Sequence, residues 1–454
     1  MKLSLASIAE IVGGRLTGAD RSCDSVAIDS RDACAGALFV AIPGEHFDGH
    51  RFIPEAAARG AQGAMVQRVG EYPLAAIQVP DTRQALAALA QAWRQRFDIP
   101  VIGVTGSNGK TTVKGMLASI LGCMGPGTAT TGNLNNDLGV PLTLLQIKDG
   151  DRFAVIEMGM NHPGEISVLT RWSAPTVAVI TNAAAAHLEG LGSVAAVARA
   201  KGEIFSGLAR TGVAVINASD PYHGLWRELA AGRRVLTFGF RGADVTGECH
   251  SRAHAGVLRI RLSDALGGGE AEVPLQLLGR HNAANALAAT AAALAAGSPL
   301  EHVVQGLAAM RPVAGRLEPL PGRQGSLILN DTYNANPGSV RAAIEVLQTF
   351  PAPRILVLGD MLELGAEAQA RHEEVGHYAR SVGIDTLFAL GPQAAAAAQA
   401  FGAHARHFSD VEALCVALQA QVHAGVTVLV KGSRGMRMER VVQTLSQHSS
   451  GEAH

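Results

Sequence analysis

From position 99 onward, short uninterrupted apolar runs alternate with longer stretches of helical periodicity, a pattern that few folds accept. The runs at 101–105, 154–157, 177–181, 213–217 and 235–238 carry almost no polar residue before their carboxyl ends. Strands of that kind are buried on both faces, the signature of a parallel sheet covered by helices on either side. Segment 243–278 breaks the pattern. There Val257-Leu-Arg-Ile-Arg-Leu262 alternates, which predicts antiparallel hairpins beside the main sheet. A further unit starts near Val313, with strands expected at 327–330, 355–358, 386–390 and 426–430 and helices at 338–349 and 410–421. It reads as a small doubly wound α/β domain.

Upstream of residue 82 the chain mixes short strands and turns, such as the run at 36–42. Asp81 and Thr82 then cap an expected helix whose apolar residues Leu86, Leu89, Trp93 and Phe97 recur at helical spacing. At 454 residues the chain exceeds one ordinary hydrophobic core. The expectation is an α/β protein of three domains: a small N-terminal α/β unit at 1–82, a central parallel sheet of P-loop type at 83–312 and a C-terminal Rossmann-like unit at 313–454. Apolar residues make up 48% and charged residues 17%, against a typical charged share of about 25%. The excess is mostly Ala and Gly, which suits helices packed closely against sheets; the alanine run at 394–398 reads as an ordinary helix surface.

A formal net charge of −1 provides no broad field for nucleic acid or an anionic membrane. The five cysteines, Cys23, Cys34, Cys123, Cys249 and Cys415, show no metal-binding spacing and are expected to be buried, reduced thiols. The N-terminal stretch carries Glu10 where a signal peptide would need apolar residues, and no run is long enough to span a bilayer. A cytoplasmic location is the expectation.

The sharpest motif is Val101-Ile-Gly-Val-Thr-Gly-Ser-Asn-Gly-Lys-Thr-Thr112. A strand runs into Gly106, Ser107, Asn108 and Gly109, and Lys110, Thr111 and Thr112 open a helix. Small residues let successive backbone N–H groups converge on phosphate oxygens, and the helix N-terminus adds its dipole. Lys110 would neutralise the β- and γ-phosphates, and the Thr111 hydroxyl would ligate Mg²⁺. Val104 stands where the general P-loop pattern has its first glycine.

That abbreviated loop resembles the Mur ligase family of peptidoglycan precursor synthesis. Further matches follow in order: Glu157 in Val155-Ile-Glu-Met-Gly159, Thr181-Asn182, His187, Ala200-Lys-Gly-Glu-Ile204, Gly279-Arg-His-Asn282 with Asn285, Gly315-Arg316, Asp331-Thr-Tyr-Asn-Ala-Asn-Pro337 and Lys431-Gly-Ser-Arg434. The resemblance implies ATP as cosubstrate and two Mg²⁺ ions, held by Thr111, Glu157, His187 and a Lys201 carbamylated by carbon dioxide. It implies that Asn282 and Asn285 meet the adenine side of ATP, that Asp331 holds the ribose, and that Arg316 reaches the phosphates on domain closure. On the residues alone, Asn282 and Asn285 could equally be helix caps, and Lys201 a surface lysine paired with Glu203.

The first domain, with Asp29-Ser-Arg31, looks like the uridine-nucleotide domain of the later ligases of the family, making Ser30 and Arg31 candidate substrate contacts. Two segments are similar to the member that adds D-Ala-D-Ala to a UDP-N-acetylmuramoyl-tripeptide. One is 131–141, where Asn135 and Asn136 could bind the nucleotide-peptide. The other is Asn334-Ala-Asn-Pro337 followed by 359–365 and His372, with Asn334 and Asn336 as candidates for the incoming dipeptide. The implied reaction passes through an acyl phosphate, with Lys110, His187, Lys201 and Arg316 as the catalytic set and a monomer as the working unit. Another amide ligase on the same engine, of the amino-acid-adding or folylpolyglutamate type, is the alternative.

Overall fold

The computed structural model describes residues 1–44, 47–186, 188–252 and 255–447. Three large sheets occur among them, each drawn from one contiguous stretch of chain. The first is five-stranded, in the order Arg15–Thr17, Ala75–Gln78, Gly63–Val66, Ala37–Val40, Ser25–Ala27. All its pairings are parallel except the one made by Arg15–Thr17. What the sequence suggests is a mixture of short strands and turns is therefore a largely parallel sheet.

The central sheet has nine strands. Val101–Thr105 lies between Ala154–Glu157 on one side and Val177–Ile180 on the other. Its neighbours were laid down in opposite directions from it, so the loop after Thr105 opens at a topological switch point, where α/β sheets collect ligands. The apolar run explains the strand's position. Ile102 and Val104 enter the core on one face with Val113, Met116 and Leu117 of the helix Lys110–Gly122, while Val101 enters the core on the other. The segment expected as antiparallel hairpins beside the main sheet is antiparallel, and it extends that sheet at its edge. Val245–Arg252 pairs in parallel with Arg234–Gly239 over two residues and antiparallel with Ala255–Leu262, which in turn pairs antiparallel with Glu270–Leu275.

The helix Arg280–Ala295 is buried nearly all round, with Ala283, Ala286, Ala288, Ala289 and Ala291–Ala293 in the core. Alanine permits that close approach because its side chain is only a methyl group. The alanine run near 394 is also less exposed than expected, since Ala394, Ala397 and Ala398 are buried. The cysteines are all free, but Cys34 and Cys123 are exposed, against the expectation that all are buried.

The C-terminal sheet is six-stranded: Glu318–Pro321, Leu327–Asp331, Thr427–Lys431, Arg354–Gly359, Thr386–Leu390, Ala405–Phe408. It is parallel apart from its first strand. It has its own cores on both faces. The first domain does not stand so apart. Through the helix Thr82–Arg94, capped by Asp81, its Leu38, Met65 and Ile77 share one apolar cluster with Ile156 and Ile180 of the central sheet. That helix ends before Phe97, whose ring meets Trp93 edge-on at 5.4 Å.

Candidate active site

The cleft is built on the loop between Thr105 and Lys110. Gly106 has φ +152°, and a Cβ there would run into the Thr181 hydroxyl, which donates to the Asn108 carbonyl at 2.6 Å. Asn182 clamps the same turn: its carbonyl accepts from Ser107 N–H and its Oδ1 from Asn108 N–H, both at 3.0 Å. The Ser107 hydroxyl closes the loop by accepting from Ala184 N–H at 2.9 Å. Gly109 has φ +83° and caps the helix Lys110–Gly122 without a side-chain acceptor, so the first-turn amides of Lys110, Thr111 and Thr112 remain for an anion.

Lys110 Nζ donates to the Gly106 carbonyl at 2.8 Å. Burial pushes its pKa down, Glu157 pulls it back up and Arg316 lowers it further. Glu157 ends the strand paired with Val101–Thr105 and is 2% exposed. Its Oε1 accepts from Asn135 Nδ2 at 2.8 Å and from Thr111 Oγ1 at 3.3 Å. Its Oε2 is buried and accepts no hydrogen bond, with Lys114 Nζ standing 3.5 Å away. A buried carboxylate oxygen beside a threonine hydroxyl is a fitting donor set for Mg²⁺, whose other positions phosphate and water commonly fill. Among the described residues no cluster of three His, Cys, Asp or Glu side chains could hold a metal by itself.

Across the cleft, Arg316 Nη2 donates to Thr111 Oγ1 at 2.8 Å, and its guanidinium lies 4.1 Å above the Tyr333 ring. Its Nε is buried without an acceptor, a donor that an anionic oxygen would satisfy. Asn336 Nδ2 donates to Asn108 Oδ1 at 2.8 Å while its Oδ1 caps the helix Pro337–Gln348. Asp331 is paired with Lys431 Nζ at 2.6 Å and also accepts from Leu317 N–H at 3.1 Å. Asn334 supports the neighbouring loop, its carbonyl accepting from Lys431 Nζ at 2.9 Å. Together these walls enclose a cavity of about 830 Å³.

Asn282 and Asn285 also line it, and neither caps its helix. Gly279 occupies the cap position, Asn282 Nδ2 donates to Leu278 O at 2.8 Å and Asn285 Nδ2 to Asn282 Oδ1 at 3.1 Å. The Asn285 amide packs against Gly109 where a Cβ would stand. Asn135 and Asn136 reach the cavity, but their side chains are engaged with Glu157 and with the amide of Gly139. Asp360 and His372, in the second of the diagnostic segments, hold the fold: Asp360 accepts from Ala394 N–H at 2.7 Å and His372 Nε2 from Met361 N–H at 2.9 Å.

Besides Gly106, which shapes the phosphate loop without lining the cavity, three candidates are not gathered into it. Ser30 donates to Glu55 at 2.9 Å and Arg31 pairs with Asp29, both in the first domain. Lys201 does not line the cavity either; it is 1% exposed, with burial first and then Lys110 pushing its pKa well down. Glu203 is not its partner, because that carboxylate accepts from the amides of Gly164 and Ser167. His187 lies outside the described residues. Sequence reasoning missed Lys114 and Tyr333. Lys114 had a legible signal, since it stands one helical turn after Lys110 and so shares its face; Tyr333 lay within the quoted 331–337 motif, but its stacking on Arg316 was not legible there.

Residues 104–293 match the family model described as the Mur ligase middle domain, residues 315–434 that of the Mur ligase glutamate ligase domain, and residues 23–94 that of the Mur ligase family catalytic domain. The chain is similar to the UDP-N-acetylmuramoyl-tripeptide–D-alanyl-D-alanine ligase of Escherichia coli K12, with 42% identity across 99% of this chain and 100% of that protein. It resembles a crystal structure of MurF from Acinetobacter baumannii with a TM-score of 0.92 and 34% identity, covering 97% of this chain and 98% of that one. It also resembles MurF ligase from Thermotoga maritima in complex with ADP, with a TM-score of 0.82 and 29% identity, covering 92% and 96% of the two chains.

Proposed function

The chain belongs to the Mur ligase family, and from that premise we propose that it couples D-Ala-D-Ala to UDP-N-acetylmuramoyl-tripeptide, converting ATP to ADP and phosphate in peptidoglycan precursor synthesis. The observation that carries the reading is the meeting of a phosphate loop, a buried carboxylate and a guanidinium from the loop that leads into the C-terminal sheet in one cavity. Likeness along nearly the whole chain to ligases of that name supports the choice of substrates.

In this reading the terminal carboxylate of the tripeptide attacks the γ-phosphorus of ATP, and the bond to the β-phosphate oxygen breaks. The first-turn amides, Lys110 and Arg316 stabilise the negative charge that moves onto the phosphates. The dipeptide amine then attacks the acyl carbon, loses a proton and expels phosphate. No protein nucleophile is required. Thr111 and Glu157 would hold a Mg²⁺ ion, with His187 and a carbamylated Lys201 for a second. Bound there, the ions would neutralise phosphate charge.

Asn282 and Asn285 take the adenine side of the nucleotide, Asp331 its ribose, and Ser30 and Arg31 the uridine nucleotide. Asn334 and Asn336 support the wall against which the dipeptide rests, and Asn135 acts by holding Glu157. The three units are proposed as 1–82 for the nucleotide-peptide, 83–312 for ATP and 313–454 for the dipeptide. The proposed site of action is the cytoplasm and the proposed working unit a monomer. No helix among the described residues is long and apolar enough to cross a membrane.

The test is ATP turnover with UDP-N-acetylmuramoyl-tripeptide and D-Ala-D-Ala, compared with diaminopimelate, lysine and glutamate as acceptors. Preference for any of the single amino acids over the dipeptide overturns the reading.

A further inference from the structure

The incoming dipeptide brings a carboxylate that stays ionised at neutral pH, and a cleft that selects it needs a cation not already engaged. Among the described residues four lysine or arginine side chains line the cavity: Lys110, Arg316, Lys431 and Arg434. Lys110 is folded back onto the phosphate loop, Arg316 is stacked on Tyr333 and bonded to Thr111, and Lys431 is paired with Asp331. Arg434 differs. Its side chain is 69% exposed, and the ion pair recorded for it, with Glu439 at 3.6 Å, is too long for a hydrogen bond and too exposed to compete with a ligand.

The backbone beneath that side chain is firmly held. Arg434 N–H donates to Asn334 Oδ1 at 3.3 Å, and Ser433 N–H donates to the Asp360 carbonyl at 3.0 Å. The Ser433 hydroxyl accepts from Leu362 N–H at 2.8 Å and donates to the Ala335 carbonyl at 3.3 Å. Three loops are thereby tied together at the carboxyl ends of the adjacent strands Leu327–Asp331, Thr427–Lys431 and Arg354–Gly359, the edge at which α/β sheets bind ligands. Ala335, Leu362 and Gly435 line the cavity beside Arg434 and offer apolar surface on the scale of a methyl group.

We propose that Arg434 is the specificity-determining residue that binds the carboxylate of the incoming dipeptide. Its planar fork accommodates a carboxylate through two parallel hydrogen bonds. An extended dipeptide spans about 7 Å, and Arg434 and the phosphate loop line the same cavity, so its two ends have separate partners to meet there. The proposal rests on the functional reading above and adds the residue that recognises the acceptor.

The experiment compares wild type, Arg434→Ala and Arg434→Lys, with D-Ala-D-Ala and its C-terminal amide as acceptors. Arg434→Ala should raise KM for D-Ala-D-Ala by about tenfold or more, the usual effect of losing a hydrogen-bonded charge pair. KM for ATP and for the tripeptide nucleotide should stay unchanged, as should dipeptide-independent acyl phosphate formation trapped with borohydride. Wild type should lose a similar factor on passing from the dipeptide to its amide, Arg434→Ala should not distinguish the two, and Arg434→Lys should recover part of the preference. Undiminished preference for the free carboxylate in Arg434→Ala overturns the proposal, as does an equal rise in KM for ATP. A wild-type enzyme inert with D-Ala-D-Ala but active with another amine overturns the functional reading, and the proposal with it.

Discussion

Gly109 satisfies two constraints at once. Its φ of +83° lies in the left-handed region, and the space where a Cβ would stand is taken by the Asn285 amide. The conformation alone costs a non-glycine residue about 1–2 kcal/mol, so Gly109→Ala should lower kcat/KM for ATP by about tenfold or more. Adding Asn285→Ala should relieve the collision but not the backbone strain; full recovery in the double variant would contradict this account. Lys201 raises a different question. Burial depresses its basicity, which favours the uncharged amine that attack on carbon dioxide requires, and a carbamate formed there would place hard oxygens where an ammonium would repel a cation. Incubation with ¹³C-bicarbonate should produce a carbamate NMR signal that Lys201→Ala abolishes; its absence from the wild type would exclude the modification.

The helix Arg280–Ala295 shows how one element can serve both packing and site. Its alanines press against the central sheet, while His281, Asn282 and Asn285 at its first turns line the cleft. Burial pushes the His281 imidazole down to about 4, outweighing the upward pull of Asp331 across the cleft, and Lys431 lowers it further. Because the folded-state value lies below the unfolded one, the unfolded chain binds the proton first as pH falls. This stabilising contribution is therefore full above about pH 6.5 and is lost as pH drops toward 4. Thermal melting at pH 7.5 and pH 5 should show wild type losing more Tm on acidification than His281→Asn. Equal losses would assign the acid sensitivity elsewhere.

At the scale of the molecule, the first domain is welded to the centre by a shared apolar cluster, whereas the C-terminal sheet keeps cores of its own. Arg316–Thr111 and Asn336–Asn108 are polar contacts that carry the C-terminal unit across the cleft. Such contacts are exchanged for water at little net cost, so the C-terminal unit should move while the other two travel together. Small-angle scattering should show a smaller radius of gyration with an ATP analogue and tripeptide nucleotide than without ligands, and Asn108→Ala should weaken that contraction. Identical dimensions in the two states would argue for a permanently closed molecule.

The sequence by itself determined the parallel central sheet, the glycine-rich turn and the order of the family's motifs, because each depends on spacing along a few neighbouring residues. It also carried Glu157 and Arg316 as candidates. Which partners those residues would have was decided by tertiary structure: Asn135 on Glu157, Tyr333 beneath Arg316 and Asn285 against Gly109 each join residues from different elements or loops. The same holds for Lys201, which a helical pattern allows on a surface and the packed core buries. Local sequence encodes backbone conformation and apolar periodicity. The environment of a charged side chain is set by what the rest of the chain brings to it, and that depends on how the central and C-terminal units meet around one cleft.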